Sequence, residues 1–520
     1  MALLRAAATV GGYTMASRVL GFARDLVFAA LLGAGPIADA FLVAFRLPNL
    51  FRRLFAEGAF AAAFVPMFSG RLQQDGRKAA LAFGEEVMAV LFAALLVFTA
   101  LAEAFMPILV AILAPGFLDQ PERFGPAVLF SRLTFPYLMC MALLAFFAGI
   151  LNSFYRFAVP SAAPILLNVV LIAALAISAL WTGAPGLALS IGVCLAGFGQ
   201  LALILWDMRR ARLRLRLRRP RLTRGVRRLL RQLVPGTLSA GALQINLLIG
   251  TMIASLLPTG AVAWLHYADR IYQLPLGVVG IALGTALLPR LTRTLEAGDS
   301  KGASDEMNRA VEIAMLLALP AAAALIAMPE AVAGVLFERG AFTAADTQAT
   351  AAAIAAFAAG LPAFVLVRVL QPGFFARGDM RIPFRLTVVA VALNTALSLA
   401  LYREIGHVGI AAATSAAAWA NAALLWAMLR RCGHCEADRR LLSRLPRAAG
   451  ASLVMAAALL GGLEALGPWL AGGEALRIAA LAALCIGGFA VFALAALGLG
   501  AVRPAEVRRL LASRRAPTDD

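Results

Sequence analysis

The run Val10-Gly-Gly-Tyr-Thr-Met-Ala-Ser-Arg-Val-Leu-Gly-Phe-Ala-Arg-Asp-Leu-Val-Phe-Ala-Ala-Leu-Leu32 decides the fold. It has the ~20 residues that a membrane-crossing helix needs. It also carries Ser17, Arg18, Gly21, Arg24 and Asp25. Their spacing (i, i+1, i+4, i+7, i+8) puts them on one face of a helix. The remaining faces are apolar. An arginine near mid-bilayer costs roughly 2.5–3.5 kcal/mol even on the lenient insertion scale, so the stripe must face water or protein rather than lipid. The run is too long and too charged for a cleavable leader; it reads as a retained first span.

The rest of the chain fits that reading. Of its 520 residues, 62% are hydrophobic and only 14% charged, against about a quarter charged in a soluble chain. Lipid must therefore be its main solvent. Scanning for spans gives fourteen candidates: residues 10–32, 38–60, 81–102, 127–151, 159–180, 187–206, 229–256, 262–288, 310–328, 350–370, 384–402, 408–429, 448–470 and 476–499. Pro48, Pro235 and Pro275 interrupt the second, seventh and eighth, which spans tolerate when neighbours satisfy the freed backbone groups.

A net charge of +19 raises the question of a nucleic-acid partner, and the placement of the charge argues against one. The bases cluster in alternate loops. They include Arg71, Arg77 and Lys78, the dense run from Arg209 to Arg231, Arg290, Arg293 and Lys301, then Arg430 to Arg447, and finally the tail from Arg503. In the intervening loops Asp119, Glu122, Glu330, Glu338 and Glu474 outnumber the bases Arg123, Arg339 and Arg403. This is the positive-inside pattern, with both termini cytoplasmic. The alternating Arg212 to Arg218 segment reads as a juxtamembrane connector that anionic headgroups attract.

The sequence also resembles itself. Arg71-Leu-Gln-Gln-Asp-Gly76 follows Pro66, and Arg293-Thr-Leu-Glu-Ala-Gly298 follows Pro289. Asn168 and Asn394 lie inside corresponding spans, and Gly186-Leu-Ala and Gly409-Ile-Ala open the next ones. Spans 1–6 and 7–12 therefore read as two parallel copies with a substrate site between them. The expected fold is all-α and membrane-integral. Two six-helix lobes in pseudo-two-fold repeat surround a central cavity, and two C-terminal helices are added. The expected divisions are 1–222, 223–431, 432–500 and a basic tail at 501–520.

Polar residues recur inside other spans. Asp39, Arg46, Asn49, Arg52, Arg53 and Glu57 mark the second, where the heptad-spaced Asp39, Arg46 and Arg53 share a face, and His266, Asp269, Arg270 and Gln273 mark the eighth. Internal ion pairs would account for some of them. Base exceeds acid in the stripes, however, and guanidinium forks suit phosphate. The ligand inferred is an anion that crosses the membrane, bound by Ser17, Arg18, Arg24, Asp25, Asp39, Arg52, Arg53, Asp269, Arg270 and Gln273. Little else carries chemistry. Cys432 and Cys435 form a lone CxxC without the second ligand pair that zinc requires. No phosphate loop and no nucleophile–base pair stands out, so the chain does not read as an enzyme and no cofactor is expected. Transport would draw on the membrane potential or an ion gradient.

Several stretches carry a resemblance to a known family. Gly11 to Asp25, Ala38-Asp-Ala-Phe41, Phe45-Arg-Leu-Pro-Asn-Leu-Phe-Arg-Arg-Leu-Phe-Ala-Glu-Gly58, Phe64-Val-Pro66, Tyr267-Ala-Asp-Arg-Ile-Tyr-Gln-Leu-Pro-Leu-Gly277 and Leu287-Leu-Pro289 are similar to the MurJ (MviN) family of lipid II flippases. The resemblance implies the fold of the multidrug/oligosaccharidyl-lipid/polysaccharide exporter superfamily. It implies an inner-membrane protein that flips the undecaprenyl-diphosphate-linked disaccharide-pentapeptide by alternating access for peptidoglycan synthesis, with spans 13 and 14 holding the prenyl tail. Lipid II, anionic membrane lipids and other cell-wall synthesis proteins are the expected partners of a monomer. The family's cavity charges fall on Arg18, Arg24, Asp25, Asp39, Arg52 and Arg270. The family's sodium-site positions fall on Asn246, Asn394, Ser398 and Thr414, which offer no carboxylate to balance a cation. The alternatives are a flippase for another lipid-linked oligosaccharide, a cation-coupled drug exporter, and a membrane scaffold for wall-synthesis enzymes.

Overall fold

The computed structural model describes the backbone of residues 2–56 and 59–503. The side chains of 2–8, 51–56, 59, 234–243, 245 and 278–286 lie outside the description. Ten helices come first: α1 (Ala2–Leu32), α2 (Pro36–Ala56), α3 (Ala59–Gln74), α4 (Gly76–Ala104), α5 (Met106–Leu113), α6 (Pro121–Thr134), α7 (Tyr137–Ser153), α8 (Ala158–Ile177), α9 (Pro185–Arg210) and α10 (Arg224–Ser255). Eight follow: α11 (Ala261–Glu296), α12 (Ser300–Ala327), α13 (Pro329–Phe337), α14 (Ala344–Phe375), α15 (Arg381–Arg431), α16 (Arg439–Ala465), α17 (Gly467–Leu470) and α18 (Glu474–Gly498). No strand occurs among the described residues. With lipid as solvent, backbone groups must be satisfied within each segment, and helices do this.

Among the described residues, nine helical stretches are long and apolar enough to cross a membrane. One of these is α15, whose 51 residues would extend about 75 Å, more than twice the ~30 Å hydrocarbon core. Non-helical dihedrals at Ile405 and Gly406, the latter at φ 60°, divide it between the expected eleventh and twelfth spans. α1, α2 and α11 are not among the nine; they are the helices that carry the polar stripes.

The chain forms two compact units, Met1–Ala263 with Arg339–Thr343, and Trp264–Glu338 with Ala344–Asp520. The division differs from the boundary expected at residue 222, because α10 packs on α2, α3, α4 and α5. Both units repeat one helix order. A long helix (α4, α12) is followed by a short proline-started one (α5, α13) and then by a long apolar stretch (α6–α7, α14). The paired glycines behave alike as well. A Cβ on Gly186 would come 2.7 Å from the Phe130 ring, and one on Gly409 would come 2.7 Å from the Leu401 carbonyl.

Helices in lipid gain no hydrophobic drive from one another, so close packing and small residues hold them together. In the first unit Phe64 is the packing centre of α3. Its ring lies 5.1 Å from Phe146, 5.3 Å from Phe60 and 5.5 Å from Phe68. Gly149 on α7 leaves the room; a Cβ there would be 3.2 Å from Phe64. In the second unit α12 packs on α14 and α16, and α16 on α18. At its polar end, Glu312 of α12 accepts from Arg309, Arg440 and Arg444, while Arg309 also pairs with Asp438. Arg444 is buried, and Glu312 is a carboxylate that offsets the cost of that burial. Replacing Glu312 with Ala removes the carboxylate that Arg309, Arg440 and Arg444 share, a loss on the order of 3 kcal/mol. The expected results are a lower melting temperature in detergent and faster proteolysis across residues 432–438. An unchanged melting curve would mean that Glu312 does not hold α16 to α12.

Candidate functional site

The polar face of α1 is built outward from Arg24. Its Nε and Nη2 both donate to Asp25 Oδ1, at 3.1 and 2.6 Å, and its Nη1 donates to Asn168 Oδ1 at 3.1 Å. A guanidinium has five N–H donors; three are engaged here, and two remain for a ligand. Asn168, on α8, donates its amide to the Ser17 carbonyl at 3.0 Å and to Pro164 O at 3.2 Å. One asparagine thereby fixes both the arginine and the helix that carries it. Arg24 keeps 14% of its side chain accessible and Asp25 5%. Arg18, one turn and a half away on α1, is exposed and has no hydrogen-bond or ion-pair partner among the described residues. At Gly21 a Cβ would meet Asn168 at 3.6 Å, an ordinary contact.

Asp39 stands elsewhere in the same unit. The sequence groups it with the ligand-binding residues, but the structure seals it in an ion pair. Arg123 Nη2 donates to its Oδ2 at 2.9 Å, with both side chains at 0% exposure. The N–H groups of Gly260 and Ala263 donate to Oδ2 and Oδ1 at 2.8 and 2.9 Å. Arg123 spends further donors on Gln120 and the Leu257 carbonyl, and its guanidinium lies 4.0 Å from the Phe117 ring centroid. Both carboxylate oxygens of Asp39 are therefore engaged by protein donors, three in all. Its work is to tie the start of α2 to the 117–123 segment and to the first turn of α11.

In the second unit Asp269 accepts a hydrogen bond from Gln273 one turn on, so these two, with Arg270, share a face of α11. Trp264 donates to Asp346 at 2.9 Å and lies 5.0 Å from the His407 ring, linking α11 to α14 and to the second half of α15. Arg52, Arg53 and Glu57 lie outside the described residues. So do no members of the Asn394 group: Ser398 donates to Asn394 at 3.5 Å, and Thr414 donates to the Ile410 carbonyl at 2.8 Å. Asn246 is on α10. No cluster of three or more His, Cys, Asp or Glu suited to a metal occurs among the described residues. Cys435 is buried and Cys432 exposed, both as free thiols. Burial pushes the Cys435 thiol above its ordinary value.

Three residues escaped the sequence reading of the site. Asn168 was legible as a lone amide in an apolar span, but its partner is 144 positions away. Arg123 read as an ordinary loop base. Arg368 is a solitary arginine inside the expected tenth span. It is exposed on α14, with no partner among the described residues and only the neutral Gln371 at helical spacing from it.

Apolar helices in two units of one repeated order, with arginines held inside them, define a polytopic membrane transporter. Comparisons with known proteins give the family. The lipid II flippase MurJ family model matches residues 28–480. The chain is 47% identical to a probable lipid II flippase MurJ of Rhizobium meliloti, over 98% of this chain and 96% of that one. It is 36% identical to the lipid II flippase MurJ of Burkholderia cenocepacia, over 88% and 89%. The chain belongs to the lipid II flippase MurJ family. Among solved structures, its fold matches a lipid II flippase MurJ in an inward closed conformation (TM-score 0.77, 22% identity, 94% of this chain and 97% of that one). It also matches an inward-facing multidrug resistance MATE transporter of the MOP superfamily (TM-score 0.69, 15% identity, 80% and 95%).

The sealed pair makes a measurable demand. Arg123→Ala leaves Asp39 buried without its counter-charge and should destabilise the protein by about 3–5 kcal/mol. Asp39→Asn combined with Arg123→Gln removes both charges and should recover much of the loss in a detergent melting experiment. Equal melting temperatures for the single and double variants would show that the charge pairing is not what holds these segments.

Proposed function

We propose that this chain carries lipid II from the cytoplasmic to the periplasmic leaflet by alternating access, in the inner membrane, with both termini cytoplasmic. Membership of the MurJ family supports the substrate. The observation that carries the mechanism is the arrangement around Arg24. A guanidinium on a membrane-spanning helix is held in place by Asp25 and Asn168, yet keeps two N–H donors and part of its surface free. A fixed fork of this kind suits a diphosphate and loses little conformational entropy on binding.

Arg24 and Arg270 are assigned to grip the diphosphate. Asp25 positions Arg24, and Arg18 takes remaining charge of the headgroup. Ser17, Asp269 and Gln273 supply polar contacts, and Arg52 and Arg53 are kept in the set on the sequence reading alone. Asp39 leaves that set and becomes a structural tie. The prenyl tail is assigned to α16 and α18, where Leu453, Val454, Ile486, Phe489 and Leu494 are exposed. No bond is made or broken, so the protein is not an enzyme. The energy is assigned to the membrane potential or an ion gradient. The drug-exporter alternative is weaker, because a cationic drug would favour acid in the stripes, and these are rich in base.

The test is complementation of a strain depleted of its own lipid II flippase. Arg24→Ala and Arg270→Ala, each inserted at wild-type level, should fail to support growth, and lipid II should accumulate on the cytoplasmic face. Normal growth from both would end this mechanism. Accumulation of a different lipid-linked saccharide instead would move the substrate assignment to that class.

A further inference from the structure

Between Met208 and Ala268 the chain has twelve arginines and no carboxylate. Part of this charge is held by the protein. Glu85 of α4 accepts from the Arg216 backbone N–H at 3.0 Å and pairs with Arg218 Nε at 2.6 Å. The next residue, Glu86, accepts from Thr223 Oγ1 at 2.8 Å. Thr223 also caps α10 by accepting from the Val226 N–H at 3.4 Å. These two acids pin the extended connector to α4; Glu85 is matched by Arg218, and Glu86 binds a neutral hydroxyl.

The first two turns of α10 are fixed as well. Val226 and Leu229 are buried at 2% exposure. Gly225 lies against Arg71 and Phe83, whose own stack is 3.8 Å from guanidinium to ring centroid. On the opposite side Arg224, Arg227, Arg228 and Arg231 follow at i, i+3, i+4 and i+7, which makes one stripe about 10 Å long. All four are exposed, and none has an acidic partner among the described residues. With Gln232 they line an open cavity of about 540 Å³. Leu230, set among these arginines, is exposed at 42%, and Leu222, just before them, at 55%.

A solvated basic face needs no exposed leucines, and a soluble polyanion gains nothing from them. Basic side chains with apolar ones between them, at the point where a helix enters the bilayer, form an interfacial lipid-binding pattern. We propose that Arg224, Arg227, Arg228 and Arg231 form a binding site for the headgroup of an anionic phospholipid, distinct from the transport substrate's site, which anchors the start of α10 at the membrane surface. That this surface is the cytoplasmic one rests on the topology proposed above; lipid binding itself does not depend on it.

The experiment compares purified full-length protein in nanodiscs of phosphatidylcholine with and without phosphatidylglycerol. The phosphatidylglycerol retained per protein is read by native mass spectrometry after transfer to detergent. Arg227→Gln with Arg228→Gln is the test pair, and Arg219→Gln with Arg221→Gln is a control of equal charge change. Each interfacial arginine contributes about fivefold to binding, so the test pair should lose roughly 25-fold in affinity for phosphatidylglycerol while the control loses less than about threefold. Equal losses would mean that net charge alone attracts lipid, and no site exists. Inorganic pyrophosphate is the second arm. If it displaces phosphatidylglycerol and raises the melting temperature as much as the lipid does, the ligand is a soluble polyanion and the proposal is overturned. Because neither readout involves flipping, a negative result leaves the transport assignment standing, and failed complementation by Arg24→Ala leaves this one standing.

Discussion

An ionised side chain surrounded by lipid-solvated helices has three permitted fates. It is matched by an opposite charge, wetted, or held ready for a ligand. The first unit contains the extremes of this rule within one sequence neighbourhood. Asp39 and Arg123 neutralise each other with no accessible surface, and two backbone N–H groups donate to the acid as well. Arg24 and Asp25 are adjacent in sequence and also paired, yet the guanidinium keeps unused donors and an open side. On the proposed reading, the same pairing chemistry serves as a tie in one place and as a prepared binding group in the other. What separates them is access: each guanidinium has three donors engaged, but Arg123 is sealed at 0% exposure while Arg24 keeps 14% of its side chain accessible.

The helices were legible because lipid imposes a simple rule on them. A span must be about 20 residues long and apolar, and segments such as 81–102 and 476–499 satisfy it with little interruption. The proline positions looked like breaks, yet α2, α10 and α11 run through Pro48, Pro235 and Pro275. A missing N–H is tolerated where neighbouring helices stabilise the bend. The repeat was legible from paired motifs, and Gly186 and Gly409 gave it a physical basis, since both mark positions where a Cβ would strike a neighbour. The placement of α10 was not legible. Its sequence belongs to the second copy, while its packing surface is matched to α2 through α5, and no local pattern encodes which of two partners a helix prefers.

The site was legible in its residues and less so in its roles. Helical spacing identified the α1 stripe, because Ser17, Arg18, Arg24 and Asp25 are close in sequence and need only a helix to become neighbours. Asp39 shows where this method ends. Spacing placed it on a face with Arg46 and Arg53, but its carboxylate is claimed by Arg123, 84 residues away, and by backbone N–H groups still further along. A long-range partner turns a candidate ligand group into a structural one, and only a tertiary structure reveals the partner. Asn168 illustrates the converse. A neutral amide in an apolar span became a site residue once its long-range contact with Arg24 was visible.

Asp25 makes a further point about transport. A carrier must bind its cargo and also release it, so binding energy beyond what recognition needs only slows turnover. An isolated arginine in a low-dielectric chamber would hold a diphosphate too firmly, because Coulomb attraction grows steeply as water is removed. Setting a carboxylate at 2.6 Å from the guanidinium brings the local net charge close to zero while leaving the direction of the free N–H groups fixed. On the proposed reading, Arg24 then recognises its ligand by hydrogen-bond geometry more than by bulk attraction, and the second negative charge beside it favours departure. The carboxylate that lets an arginine reside on a membrane-spanning helix would therefore also keep its grip reversible.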